Sequence, residues 1–223
     1  RQGAPEFHGD YISRLTGMFA ASAAQIAWLC VPPGPHVPLL TEPALRAGLH
    51  VIVEKPWLCS AQQTSALQKI AERNNLKIGV HFEYCLLSEV ERWRAEYQQS
   101  PNLTFGGSFK LGRPDHLGLT PMQNLGTHLL AIHAYAVPLS NISTVNCEYG
   151  LHEERKVWLE RNGSRLAAID LLGSKEPIVQ RFVTRFESSV NNCSSFTFDL
   201  AFAARVAADA AKLSNWRDKA ETA

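Results

Sequence analysis

Residues 26–56 read IAWLCVPPGPHVPLLTEPALRAGLHVIVEKP, and no other stretch narrows the folds open to this chain as far. An apolar run, Ile26 to Val31, stops at Pro32, Pro33 and Gly34. A helical pattern with Leu39, Leu40, Leu45 and Ala47 follows and ends at Gly48, and a second apolar run, Val51 to Val53, leads into Glu54-Lys55-Pro56. Two short apolar runs on either side of a helical segment read as buried parallel strands joined by a crossover helix. Ligands of open parallel sheets bind beyond the carboxyl ends of the strands. Pro32, Pro33, His36 and the Glu54-Lys55-Pro56 turn therefore share one rim, and Lys55, held there between a carboxylate and a proline, becomes a candidate for chemistry.

The PPxxH after the first strand and the AGLHVIVEKP around the second resemble the Gfo/Idh/MocA family, NAD(P)-dependent oxidoreductases acting mainly on sugars, cyclitols and related small molecules. Asn124-Leu125-Gly126-Thr127-His128 is similar to that family's Asp-x-x-x-His pair. The resemblance runs from about residue 5 to the C-terminus. It implies an α/β chain in which a partial Rossmann-like parallel sheet (residues 1–82) precedes an α+β substrate and oligomerisation domain with a largely antiparallel sheet (residues 83–223). It also implies NAD or NADP as cofactor. Pro32, Pro33, His36, Glu54, Lys55 and Pro56 would lie on the cofactor side, and Tyr84, Asn124 and His128 toward a small-molecule substrate.

Composition excludes several other classes. A net charge of +1, with no Lys/Arg-rich run, creates no field that would favour nucleic acid or an anionic membrane. With 45% hydrophobic and 19% charged residues the chain is ordinary for a globular protein, and no stretch reaches the roughly 18 apolar residues of a membrane helix. Cys30, Cys59, Cys85, Cys147 and Cys193 are widely spaced and odd in number. They suggest neither a disulfide framework nor a metal site, but buried or half-buried thiols in a reducing, cytoplasmic setting. The Asn-x-Ser/Thr triplets at Asn102, Asn141, Asn162 and Asn192 are then coincidental.

Along the chain, Asp10 to Ala24 carries a helical apolar face, and Ser60-Ala61-Gln62-Gln63 predicts a capping box opening a helix that ends at Asn74-Asn75. In the family's strand order 3-2-1-4-5-6, Pro5 to His8 would end strand 3, with strands 4, 5 and 6 at residues 26–31, 50–54 and 77–82. Strands 1 and 2 and the G-x-G-x-x-G turn have no counterpart, so the chain is expected to be a fragment of a longer protein and by itself a weak binder of dinucleotide. After Phe82 the pattern predicts a helix to Tyr97, a strand at Leu103 to Leu111, the loop GRPDHLGLT, and a helix from Pro121 to Val137. Strands follow at Ile142 to Tyr149, Lys156 to Arg161 and Leu166 to Leu172, the last two joined by an Asn162-Gly163 hairpin turn. Pro177 to Phe186 reads as a further strand and Asp199 to Leu213 as a closing helix. The alternating Val157, Leu159, Ala167, Ile169 and Leu171 supply more apolar surface than one short helix covers, which predicts a homo-oligomer formed through this sheet.

Hydride transfer belongs to the nicotinamide, so the protein's task is to orient the substrate carbon and move one proton. Lys55 is placed for that proton, its partner in the bland alternative being Glu54, although consecutive strand residues point to opposite faces. His128 is a second relay. Where the family has an Asp, Asn124 offers an amide that cannot bear charge, so Lys55 should carry more of the barrier than His128. His133 lies roughly 140° around the helix from His128, so the two make no metal pair. Trp57 would shield the nicotinamide pocket, and Lys55-Pro56 is a candidate cis bond. The expected function is hydride transfer between NAD(P) and a small-molecule alcohol, carbonyl or imine. The alternative is a non-catalytic binding or regulatory protein that retains the fold.

Overall fold

The structure, a computed structural model, describes residues 9–97, 102–113, 117–138 and 140–220. The chain divides into two compact units, Arg1–His81 with Val183–Arg205, and Phe82–Phe182 with Val206–Ala223.

In the first unit, α1 (Gly9–Ala21) leads to β1 (Ile26–Leu29), α2 (Val37–Arg46), β2 (His50–Glu54), α3 (Ala61–Arg73) and β3 (Ile78–His81). The strands form a parallel sheet in the order β1-β2-β3, with Ile26 opposite His50 and Glu54 opposite His81. This is the α/β arrangement read from residues 26–56. Val51, Ile52, Val53 and Val80 are all essentially inaccessible, as expected for strands covered on both faces. The capping box is realised: Ser60 Oγ accepts from Gln63 N at 3.2 Å, and the Gln63 side chain accepts from Ser60 N at 2.9 Å. Phe198 O accepts from Val80 N at 2.8 Å, and a Cβ on Gly79 would lie 2.9 Å from the rings of Phe186 and Phe196. The later part of the chain thus closes tightly over β3. The expected strand end at Pro5 to His8 lies outside the described residues, as does part of the GRPDHLGLT loop.

The second unit begins with a 3₁₀ turn (Glu83–Leu86) and α4 (Ser88–Tyr97), then β4 (Thr104–Leu111), α5 (Thr127–Ala136), β5 (Asn141–Tyr149), β6 (Glu154–Arg161) and β7 (Ser164–Asp170). The sheet order is β5-β4-β6-β7; β5 pairs parallel with β4, and the other two pairings are antiparallel. Asn162 and Gly163 both have positive φ, 51° and 77°, which the tight turn between right-twisted strands requires. α6 (Ile178–Asn191) and α7 (Leu200–Ala220) complete the chain.

Three expectations are corrected. Pro177 to Phe186 is not a strand but the start of α6, whose buried positions Phe182, Phe186 and Ser189 recur at helical spacing. The β-branched and aromatic residues there suit a strand by type, but burial follows every third or fourth residue, and Pro177 sits where a helix tolerates its missing N–H. The helix expected from Pro121 opens as a π-helical turn, Met122–Gly126, before α5 begins. Finally, Val157, Leu159, Ile169 and Leu171 are buried and Ala167 is half-buried, so these five residues leave little apolar surface on that face. The opposite face carries Trp158, which lies so close over Gly106 that a Cβ there would be 2.3 Å from the indole nitrogen, with Arg165 stacked 4.4 Å from the Trp158 ring centroid.

Candidate functional site

The carboxyl ends of the three parallel strands bring together a polar cluster. Glu54, the last residue of β2, accepts a hydrogen bond from Trp28 Nε1 on β1 at 3.1 Å, and its carboxylate lies 3.3 Å from His81 Nδ1 at the end of β3. The imidazole and indole meet edge to face with centroids 5.0 Å apart. Burial alone would raise the Glu54 pKa. The hydrogen bond and charge of His81, the Trp28 hydrogen bond and the Lys55 charge outweigh that penalty and hold the carboxyl below the usual range.

Lys55 follows at the strand end, half-buried, and the Lys55-Pro56 bond is cis. Trp57 is buried and donates Nε1–H to Thr64 Oγ1 at 2.9 Å, which fixes the turn to α3. After β1, Pro32 is exposed, Pro33 half-buried and His36 buried. Gly34 packs so closely under His36 that a Cβ would fall 2.9 Å from the imidazole, so the loop has no room for a side chain there. With Glu54 and His81, these residues place one carboxylate, one ammonium and two imidazoles at the carboxyl ends of the strands and in the loop after β1.

Tyr84, Asn124 and His128 lie in the second unit. Tyr84, in the 3₁₀ turn, meets His128 edge to face at 4.8 Å, and the buried His128 ring stacks on Phe109 of β4 at 5.7 Å and 30°. Arg155 of β6, which pairs with Phe109 in the sheet register, donates to the Tyr84 hydroxyl. Burial raises the phenol pKa; the Arg155 charge and hydrogen bond oppose the rise, and the charges of Glu83 and Glu153 add to it. Asn124 is half-buried on the π turn that precedes His128. Such turns are rare and often mark functional sites. Gly126 allows this one, since a Cβ there would meet Met122 Sδ at 2.1 Å.

Trp28, His81, Arg155 and Phe109 were not among the sequence candidates. The rim reasoning that selects Lys55 applies equally to His81 at the end of β3. Trp28 hides inside an apolar run, and Arg155 reaches Tyr84 only through strand register. A cavity of about 470 Å³ in the first unit, lined in part by Gln68, Glu72, Lys77 and Phe196, lies near the amino end of β3, away from this rim. Among the described residues, no group of three or more His, Cys, Asp or Glu is placed to hold a metal ion, and no helix is long and apolar enough to cross a membrane.

Residues 1–82 match the model of the oxidoreductase family with an NAD-binding Rossmann fold. This segment belongs to the Gfo/Idh/MocA family. NAD is the cofactor of that domain, in accord with the NAD or NADP that the resemblance implies. Structures similar to this chain include UDP-N-acetylglucosamine 3-dehydrogenase GnnA from Acidithiobacillus ferrooxidans, with a TM-score of 0.72 at 13% identity over 89% of this chain and 79% of that one. A putative myo-inositol dehydrogenase from Sinorhizobium meliloti 1021 gives 0.71 at 10% identity, covering 87% and 79%. An inositol dehydrogenase homolog from Azotobacter vinelandii, complexed with NAD+, gives 0.65 at 15% identity, covering 87% and 77%. At these identities the likeness is one of fold. No curated protein sequence matches the chain.

Proposed function

We propose that the chain is the cofactor-and-substrate portion of an oxidoreductase that moves a hydride between NAD or NADP and an alcohol, carbonyl or imine carbon of a small, sugar- or cyclitol-like molecule. The observation that carries this reading is Lys55. It stands at the carboxyl end of the middle strand of a family-matched parallel sheet, beside a Glu54 carboxylate already engaged by Trp28 and His81.

The residues at the rim suit a nicotinamide: Pro33, His36, Lys55 and the cis Pro56 turn would hold it, with the backbone at Gly34 packed too closely for a side chain. The bound cofactor supplies or accepts the hydride. Lys55 is the group that donates to, or takes a proton from, the substrate oxygen, while Trp28 and His81 draw the Glu54 carboxylate toward the neighbouring strands. His128, its ring set by Tyr84 and Phe109, serves as a second proton-handling group. Asn124, on the turn before it, orients substrate or imidazole by hydrogen bonding alone.

On the same reading, residues 1–82 serve the cofactor and residues 83–223 the substrate and assembly. The sheet face bearing Trp158 and Arg165 is the surface that meets a second copy. The five cysteines, all free, support a reducing cytoplasmic compartment. The test is titration of the full-length protein with NADH and NADPH by nicotinamide fluorescence, followed by turnover with a panel of sugars, cyclitols and imines. Saturable binding with turnover of at least one compound is expected. Binding without turnover across the panel would favour a non-catalytic protein of this fold, and no binding would sink the reading.

A further inference from the structure

The cavity of about 470 Å³ in the first unit lies between the last turns of α3 and the entry to α7, at the opposite end of the sheet from Glu54 and Lys55. Its volume falls within the range of small-molecule sites, roughly 300–1,000 Å³. Ala71, Ile78, Phe196 and Leu200, all buried, form its apolar floor. The wall that carries Phe196 is stiff. Phe186, Phe196, Phe198 and Phe202 meet edge to face in series, with centroids 5.0, 5.7 and 5.4 Å apart, and Phe198 O accepts from Val80 N of β3. The concavity is thus preformed by the packing of the unit itself.

Its polar groups carry more negative than positive charge. Gln68 and Glu72 stand one turn apart on the same face of α3, and Gln68 Nε2 donates to Glu72 Oε1 at 3.0 Å. Across the groove Asp199 caps α7, its Oδ1 accepting from Phe202 N at 2.9 Å. Among the described residues neither Glu72 Oε2 nor Asp199 Oδ2 accepts a hydrogen bond. Lys77, the cation in the lining, turns its ammonium to a main-chain acceptor, donating to Ser194 O at 2.7 Å. Asp199 offsets the positive end of α7 and leaves no seat for an anion there. Glu72 stands in the last turn of α3, where the helix dipole adds negative potential.

We infer that this groove binds a small organic cation, a primary amine on an apolar body, with the ammonium at Glu72 and Asp199 and the body on Phe196 and Leu200. An ammonium donating to a carboxylate makes the stronger, charge-assisted kind of hydrogen bond, and the buried floor removes apolar surface of the ligand from water. The site is separate from the rim at Glu54 and Lys55, so the inference does not depend on the oxidoreductase reading.

The probes are 2-phenylethylamine, its neutral analogue 2-phenylethanol, and 3-phenylpropanoate, in which a carboxylate replaces the ammonium. Each is titrated into the full-length protein carrying labelled isoleucine and leucine methyl groups, and binding is read from the Ile78 and Leu200 cross-peaks, which report on this groove and not on the rim. 2-Phenylethylamine is expected to shift both peaks saturably and to bind about tenfold more tightly than 2-phenylethanol, with 3-phenylpropanoate weaker still. Glu72→Gln, a change at an exposed position that keeps the side chain's shape, should weaken the amine about tenfold and leave 2-phenylethanol in place. Asp199→Asn keeps an oxygen to cap α7 and should weaken the amine by about threefold or more. No saturable shift of Ile78 and Leu200 with the amine, equal binding of 3-phenylpropanoate, or an amine affinity unchanged in both Glu72→Gln and Asp199→Asn would overturn the inference.

Discussion

Replacing Glu54 with Gln tests whether the rim cluster is a net stabiliser or a cost tolerated for function. The change keeps the shape and removes the charge. In the native chain the carboxylate accepts from Trp28 Nε1 at 3.1 Å and faces His81 Nδ1 at 3.3 Å, with 29% of its side chain still exposed. Hydrogen bonds to charged groups contribute roughly 1.5–3 kcal/mol against about 1 kcal/mol for neutral ones. Two such bonds would put the loss near 2 kcal/mol, and the partial exposure, together with relief of the desolvation penalty, reduces it to about 1 kcal/mol. Because the folded-state pKa of Glu54 is lowered, its contribution is fully present above the ordinary carboxylate range near 4.5 and is lost as pH falls through the lower folded value. The gap between wild type and Glu54→Gln should therefore hold from pH 7 to about 5 and close in acid. Urea titration followed at the Trp28 indole N–H reports on this unit directly. A Glu54→Gln protein as stable as wild type at pH 7, or more so, would show that desolvation outweighs the partners. A gap unchanged down to pH 3 would show that charge is not the source.

Two further outcomes are expected. In single-turnover hydride transfer by the full-length protein, Lys55→Ala should slow the step by about 10² to 10⁴-fold and His128→Ala by a smaller factor, since Asn124 gives the imidazolium no anionic support; equal losses would refute the division of roles. In thiol labelling at pH 8, the exposed Cys193 should react first, followed by the exposed Cys30, whose thiol pKa is raised by burial and then by the Glu54 charge; Cys59, pushed up to about 12 by burial, and the buried Cys85 and Cys147 should wait for denaturant. Glu54→Gln should speed Cys30 specifically, and an unchanged Cys30 rate would remove Glu54 as a cause.

The strand-helix-strand unit, the parallel sheet, the Ser60 capping box and the Asn162-Gly163 turn were legible in the sequence, because each rests on contacts between near neighbours or on a burial pattern written along one segment. The Glu54-Lys55-Pro56 rim was legible for the same reason: a strand end is a local feature, and parallel topology assigns it a side. Pro177 to Phe186 misled because residue type favoured a strand, while the burial that makes it a helix depends on what packs against Phe182 and Phe186. The partners of Glu54 come from two other strands, and those of Tyr84 from residues 109, 128 and 155, far apart in the chain. Sequence alone determined which residue types stand at the strand ends and where the chain turns. Only the tertiary structure decided which of them meet, since strand register and the packing of a helix over a sheet are set by burial summed across the whole unit.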